Sequence, residues 1–170
     1  MHGRANTCCF TGHRPEKLPW GADETDPRCA ALKRKIRDAV ESAYDGGMRH
    51  FICGMARGCD FYFAEAVLTL RREKGDVTLE AAIPCAAQSG GWPEADQVRW
   101  RSLLAQCDLE TLVQEQYTKG CMLRRNRYMV DHSALLIAVY DGVSGGTRHT
   151  LEYAMRQKVP FLDIPPVVIQ

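Results

Sequence analysis

The sequence predicts an α/β fold in which a mainly parallel sheet of about six strands lies between helices on both faces. Three observations predict it. Short β-compatible apolar runs alternate with helical segments along the whole chain, glycine-rich turns follow the strands directly, and no linker or low-complexity stretch interrupts the alternation. At 170 residues and 45% apolar composition the chain is expected to fold as one domain over 1–170.

"TCCFTG" (7–12) reads as the first buried strand, and "HFICG" (50–54) repeats its pattern. Between them Asp26 is placed to cap a helix, Pro27 to occupy its first turn, and Gly46 and Gly47 to stop it. Leu32, Ile36, Val40 and Ala43 fall on one stripe of that helix, which should pack on a sheet. Asp60 is expected to cap a second helix running to about Lys74, and "TLEAAIPC" (78–85) is a third strand closed by Pro84. A helix from Pro93 to about Gln106, a weaker strand "LETLVQE" (109–115) and a helix over 120–131 follow, the last with Leu123, Tyr128 and Met129 as its apolar contacts. "ALLIAVYD" (134–141) is the strongest strand, and a helix over 147–157 and a strand "PFLDI" (160–164) end the series.

Charge narrows the functional classes. With 22 basic and 21 acidic side chains the net charge is +1, so the chain lacks the overall positive field of a DNA-coating protein, and any anion site has to be local. This argues against nucleic acid as a partner. No leader-like segment opens the sequence and no run approaches 18 uninterrupted apolar residues, so a cytoplasmic protein without membrane partners is expected. The eight cysteines are scattered within or beside apolar runs and form no C-x-x-C pair, which favours reduced, buried thiols over disulfides or a metal.

Right-handed crossovers place the carboxyl ends of all parallel strands on one edge, where such folds bind ligands. Four loops should converge there: "GHRPEK", "GMARGCD", "PCAAQSGGW" and "DGVSGGTRHT". Glycine-rich turns that lead into helix N-termini expose backbone N–H groups to an anion. The expected ligand contacts are Gly12, His13, Arg14, Gly54, Arg57, Gly58, Asp60, Asp141, Ser144, Gly145, Gly146 and Thr147. Arg57 stands between ligand and solvent, and Asp141 between a ribose hydroxyl and a turn. Neither the P-loop pattern nor the dinucleotide fingerprint occurs at these turns. Trp20 and Trp92 lie in loops near the edge and either stack on a base or cover the core. Arg124, Arg125 and Arg127 lie on one helix, which can project only some of them inward.

"FTGHRPEKL", "ICGMARGCDFYFAEAV", "RNRYMVDHSALLIAVYDG" and "GGTRHTLEYA" together resemble the YpsA-like family (DUF1273) of the SLOG superfamily, over about residues 7–165. The resemblance implies a Rossmann-like three-layer α/β/α domain that binds a nucleotide or a nucleotide-derived ligand such as an ADP-ribose- or NAD-like molecule, as a sensor or regulatory module. A nucleotide is then the one bound group to expect, and no other cofactor. Likeness to the LOG phosphoribohydrolases implies a second activity, N-glycosidic hydrolysis of nucleoside 5′-monophosphates, with Arg125 and Glu152 as the catalytic pair. Their P-G-G-x-G-T-x-x-E motif matches "SGGTRHTLE" loosely, and Glu152, read without the family, is equally a solvated helix residue. Likeness of "GMARGCD" to a turn of DprA implies a third, single-stranded DNA binding. The apolar helix over 61–70 offers a surface for a homodimer, and a sensor role implies a protein partner.

Overall fold

The computed structural model describes residues 3–167; residues 1–2 and 168–170, which the expected domain includes, lie outside the described residues. Six strands form one sheet: β1 (Thr7–Thr11), β2 (His50–Cys53), β3 (Thr78–Ile83), β4 (Leu109–Leu112), β5 (Leu135–Val139) and β6 (Phe161–Ile164). Five α-helices connect them: α1 (Pro27–Asp45), α2 (Cys59–Lys74), α3 (Glu94–Gln106), α4 (Cys121–Asp131) and α5 (Gly146–Arg156). All neighbouring strands pair in parallel, in the order β4-β3-β2-β1-β5-β6. The expected Rossmann-like three-layer sheet is therefore the observed fold. The chain walks outward from β1 to β4 and then returns to the far side of β1 for β5 and β6. That reversal opens a crevice between the carboxyl ends of β1 and β5.

Strand residues alternate between two apolar clusters. Phe10, Phe51, Cys53, Leu79 and Ile83 meet α1 and α2 on one face, while Cys9, Ile52, Ala82, Leu136 and Ala138 meet α4 and α5 on the other. A period of two that is apolar on both sides means a sheet buried on both faces. The stripe expected on α1 is buried, Asp26 accepts the Arg28 N–H at 2.8 Å as its N-cap, and Pro27 opens the helix. Phe10 and Phe63 stack with centroids 4.7 Å apart, fixing α2 on β1.

Several expectations change. Asp60 is not a cap: Gly58 occupies that position, α2 starts at Cys59, and the Asp60 side chain turns inward. On α4 the buried positions are Cys121, Arg125, Met129 and Val130, whereas Leu123 faces solvent. An arginine thus sits on the core-facing stripe, where a binary apolar pattern does not look for one. Helix 61–70 offers no free dimer surface, because Phe61, Tyr62, Phe63, Ala64, Val67, Leu68 and Leu70 are core. Seven of the eight cysteines are buried and all are free thiols. Among the described residues no helix is long and apolar enough to cross a membrane.

Candidate functional site

The β1/β5 crevice holds a cavity of about 370 Å³, a size at the lower end of small-molecule sites. Its walls come from four places. The loop after β1 contributes Gly12, His13, Arg14 and Lys17; the β2–α2 connection contributes Ala56 and Asp60; the β5–α5 turn contributes Val143, Gly145, Gly146 and Thr147; and α4 contributes Met122, Arg125, Asn126 and Met129.

The β1 loop and the α5 turn face one another. α5 begins at Gly146 with no side chain capping it, so its first N–H groups remain available to an anion. Gly145 has φ +155° and ψ −166°, backbone reserved in practice for glycine, and the Lys17 ammonium lies over it: a β-carbon there would stand 2.5 Å from Nζ. Thr147 lines the cavity, and its hydroxyl has no hydrogen-bond partner among the described residues. Arg14 and Lys17 have no carboxylate within ion-pair distance among those residues.

His13 is 5% exposed. Its Nε2 lies 3.4 Å from Asp141 Oδ1, yet it is sealed from solvent without an aligned hydrogen bond. Burial lowers its pKa, and the Lys17 charge lowers it further against the pull of Asp141, which keeps the ring neutral at neutral pH. Asp141 itself closes a turn, with Oδ1 accepting the Val143 N–H at 2.9 Å.

Arg125 and Asp60 form the charged interior. Arg125, 4% exposed, donates from Nη1 to the Gly54 carbonyl and from Nε to Asn126 Oδ1 at 2.7 Å. Asp60, 6% exposed, accepts the Ala56 N–H on Oδ2 at 3.0 Å. No cation stands within ion-pair distance of Asp60 among the described residues. Burial raises its pKa to about 6, against the opposing pull of the Arg125 charge, the Ala56 N–H and Arg14. A carboxyl poised near neutrality beside a buried guanidinium in a cavity is the kind of group found at functional sites.

The remaining expected residues are deployed elsewhere. Gly54 and Gly58 approach protein: a β-carbon on Gly58 would come within 2.8 Å of the His13 carbonyl, and one on Gly54 would strike Arg125. Arg57 pairs with Glu16 and Asp96 and lies over Trp92, outside the cavity. Trp20 is buried in the core with Nε1 toward the Tyr62 hydroxyl, and Trp92 packs edge-on against Phe61, so neither ring lines the crevice. Ser144 accepts from Arg148, and Glu152 pairs with the same Arg148 at 3.0 Å on the outer side of α5. The inward stripe of α5 is Thr147, Thr150, Leu151 and Ala154, so Glu152 is turned away from the cavity that Arg125 lines.

The third loop also misses the cavity. Gln88 instead bonds to the Gly54 carbonyl at 2.9 Å and accepts from Trp100 at 3.1 Å, bracing the residue that holds Arg125. Sequence reasoning missed Lys17, Asn126, Met122 and Met129. Lys17 lies in the quoted "GHRPEK" loop, and Asn126 sits beside Arg125, so adjacency was the available signal.

Comparison with known proteins agrees with this architecture. The chain is 30% identical over 145 residues to the SPbeta prophage-derived protein YoqJ of Bacillus subtilis (strain 168), covering 77% of this chain and 84% of that one. It is 25% identical over 151 residues to a UPF0398 protein of Bacillus anthracis (strain A0248), covering 87% and 81%. Among solved structures, DNA processing protein A (DprA) from Streptococcus pneumoniae superposes with a TM-score of 0.63 at 18% identity, over 98% of this chain and 52% of that one. DprA from Helicobacter pylori, a structure described for its single-stranded DNA binding mode, gives 0.63 at 16% identity, over 96% and 66%. The chain thus spans about half to two thirds of those DprA chains, and the likeness is one of fold. The YpsA family model, described as the YspA SLOG family, matches residues 8–160, and the chain belongs to that family.

Proposed function

We propose that the β1/β5 crevice binds a nucleotide or nucleotide-derived ligand through its phosphate, and that the chain acts as a sensor or regulatory domain. One observation carries the reading. The uncapped N-terminus of α5, and Arg14 and Lys17, which have no carboxylate partner among the described residues, border one cavity at the point where strand order reverses. An anion there would meet backbone N–H groups, two cations and a hydroxyl. The apolar walls, Phe10, Met122, Met129 and Val143, suit the uncharged part of such a ligand.

The test is a calorimetric and thermal-shift screen of mononucleotides, ADP-ribose and NAD. Binding that Lys17→Ala weakens and Gly146→Asp abolishes is expected; a screen without binding, or an unchanged Gly146→Asp variant, overturns the reading. The hydrolase reading has weaker support, since Glu152 lies outside the cavity. Incubation with nucleoside monophosphates checks it, and base release that Glu152→Gln leaves unchanged rejects Glu152 as the catalytic group.

A second reading is single-stranded DNA, supported by the fold shared with DprA, one of whose structures is described for that binding mode. The exposed Arg14 and Lys17, which line the crevice, are the charges a strand would use. This reading predicts an affinity that falls steeply with salt. No detectable binding of an oligonucleotide at low ionic strength rejects it.

A further inference from the structure

We infer that Asp60 and Asn126 form a subsite for two adjacent hydroxyls, so that the cavity selects ribose ligands over their 2′-deoxy counterparts; this rests on the nucleotide reading above. The two residues come from opposite faces of the sheet, α2 and α4, and both border the cavity. Each has one polar atom committed to the protein and one left over. Asp60 Oδ2 takes the Ala56 N–H, while Oδ1 receives no hydrogen bond from any described residue. Asn126 Oδ1 is held by Arg125 Nε at 2.7 Å. An Asn oxygen that accepts from a guanidinium leaves the amide nitrogen to serve as a donor on the other side. That nitrogen has no partner among the described residues.

One acceptor and one donor suit a diol: the first hydroxyl donates to the carboxylate and the second accepts from the amide. A phosphate does not fit there, because a carboxylate repels it. The ligand is thereby oriented, with its phosphate toward Lys17 and the start of α5 and its sugar toward Arg125. Arg125 links the pair, bonded to Asn126 and attracted to the Asp60 charge. The two leftover atoms are not sealed away from the cavity, so a ligand hydroxyl can bond to them where a methylene cannot.

Calorimetry on the four ribonucleoside 5′-monophosphates and their 2′-deoxy counterparts tests this. The wild-type chain is expected to prefer the ribo series by roughly tenfold. Asp60→Asn keeps an acceptor for Ala56, and Asn126→Asp keeps one for Arg125, so both variants should fold, and each should reduce the ribo-to-deoxy ratio by roughly threefold or more. Reading the ratio cancels any general change in anion affinity. Equal wild-type affinities for the two series overturn the diol subsite and leave the phosphate reading standing. Discrimination that survives both substitutions overturns the assignment to these residues, and failure of every nucleotide to bind overturns both readings.

Discussion

A β-carbon on Gly54 would stand 2.7 Å from Nη1 of Arg125, so the absence of a side chain at the end of β2 is what lets a guanidinium occupy the inner wall of the cavity. Gly54 does not have a positive φ, so backbone strain does not enter. Gly54→Ala should therefore act through Arg125, whose end can move although its hydrogen bonds to the Gly54 carbonyl and Asn126 cannot follow. The expected result is a loss of about 1–2 kcal/mol in chemical denaturation with a larger proportional loss of nucleotide affinity. Unchanged ligand binding in this variant would separate Arg125 from the site.

Asp60 makes stability depend on pH in a stated direction. Its folded-state pKa, about 6, is above the ordinary aspartate value of about 3.9. Between these values the unfolded chain releases a proton that the folded chain retains, so stability falls as pH rises from 4 to 6 and is level above that. Asp60→Asn removes this dependence. At pH 7.5 the variant should be the more stable by at most about 3 kcal/mol, and at pH 4 the difference should vanish. Urea denaturation at the two pH values reads it, and a variant less stable at pH 7.5 than the wild type contradicts the sign.

Beneath α4 a second polar group is buried for structural reasons. Glu80, on β3, meets His50 Nε2 at 2.7 Å, and accepts from the Thr111 hydroxyl at 2.9 Å and the Tyr128 hydroxyl at 2.6 Å. Burial pushes its pKa up, but these hydrogen bonds outweigh burial and leave the carboxyl below its ordinary range. The stabilisation is present above the unfolded-state pKa and is lost as pH falls through the folded one. Glu80→Ala strands three polar partners and should cost about 3 kcal/mol at pH 7, whereas Tyr128→Phe should cost about 1 kcal/mol. Thermal melts from pH 7 down to pH 3 should show the Glu80→Ala deficit shrinking with acid.

Two glycines of positive φ differ both in backbone region, with ψ −124° at Gly58 and −14° at Gly75, and in crowding. Gly58 has φ +84° and a β-carbon there would meet the His13 carbonyl and Pro15, while Gly75 has φ +83° and open space around it. Gly75→Ala should cost only the conformational penalty of about 1–2 kcal/mol. Gly58→Ala should cost distinctly more, because its ψ of −124° lies outside the left-handed region an alanine can adopt and because the β1 loop has to retreat. Denaturation midpoints of the two variants, and the ligand affinity of Gly58→Ala relative to Gly75→Ala, check this.

Much of the fold was legible in linear order. Asp26 and Pro27 before a stripe of Leu32, Ile36, Val40 and Ala43 specify a helix by local chemistry alone, and the double-sided apolar strands specify a sheet covered on both faces. The loops of β1 and β5 could be named as site elements because parallel strands and right-handed crossovers send their ends to one edge. What required the third dimension was the direction of each side chain. Asp60 reads in sequence as a cap that also meets the ligand, and the start of α2 two residues earlier, with Gly58 as the cap, turned it inward. Arg57, Trp20, Trp92 and Glu152 carry suitable chemistry, yet nearer partners hold each of them outside the cavity. Arg125 and Asn126 on α4 and Lys17 in the β1 loop line one cavity because strand order reverses between β1 and β5, a long-range arrangement that no local pattern encodes.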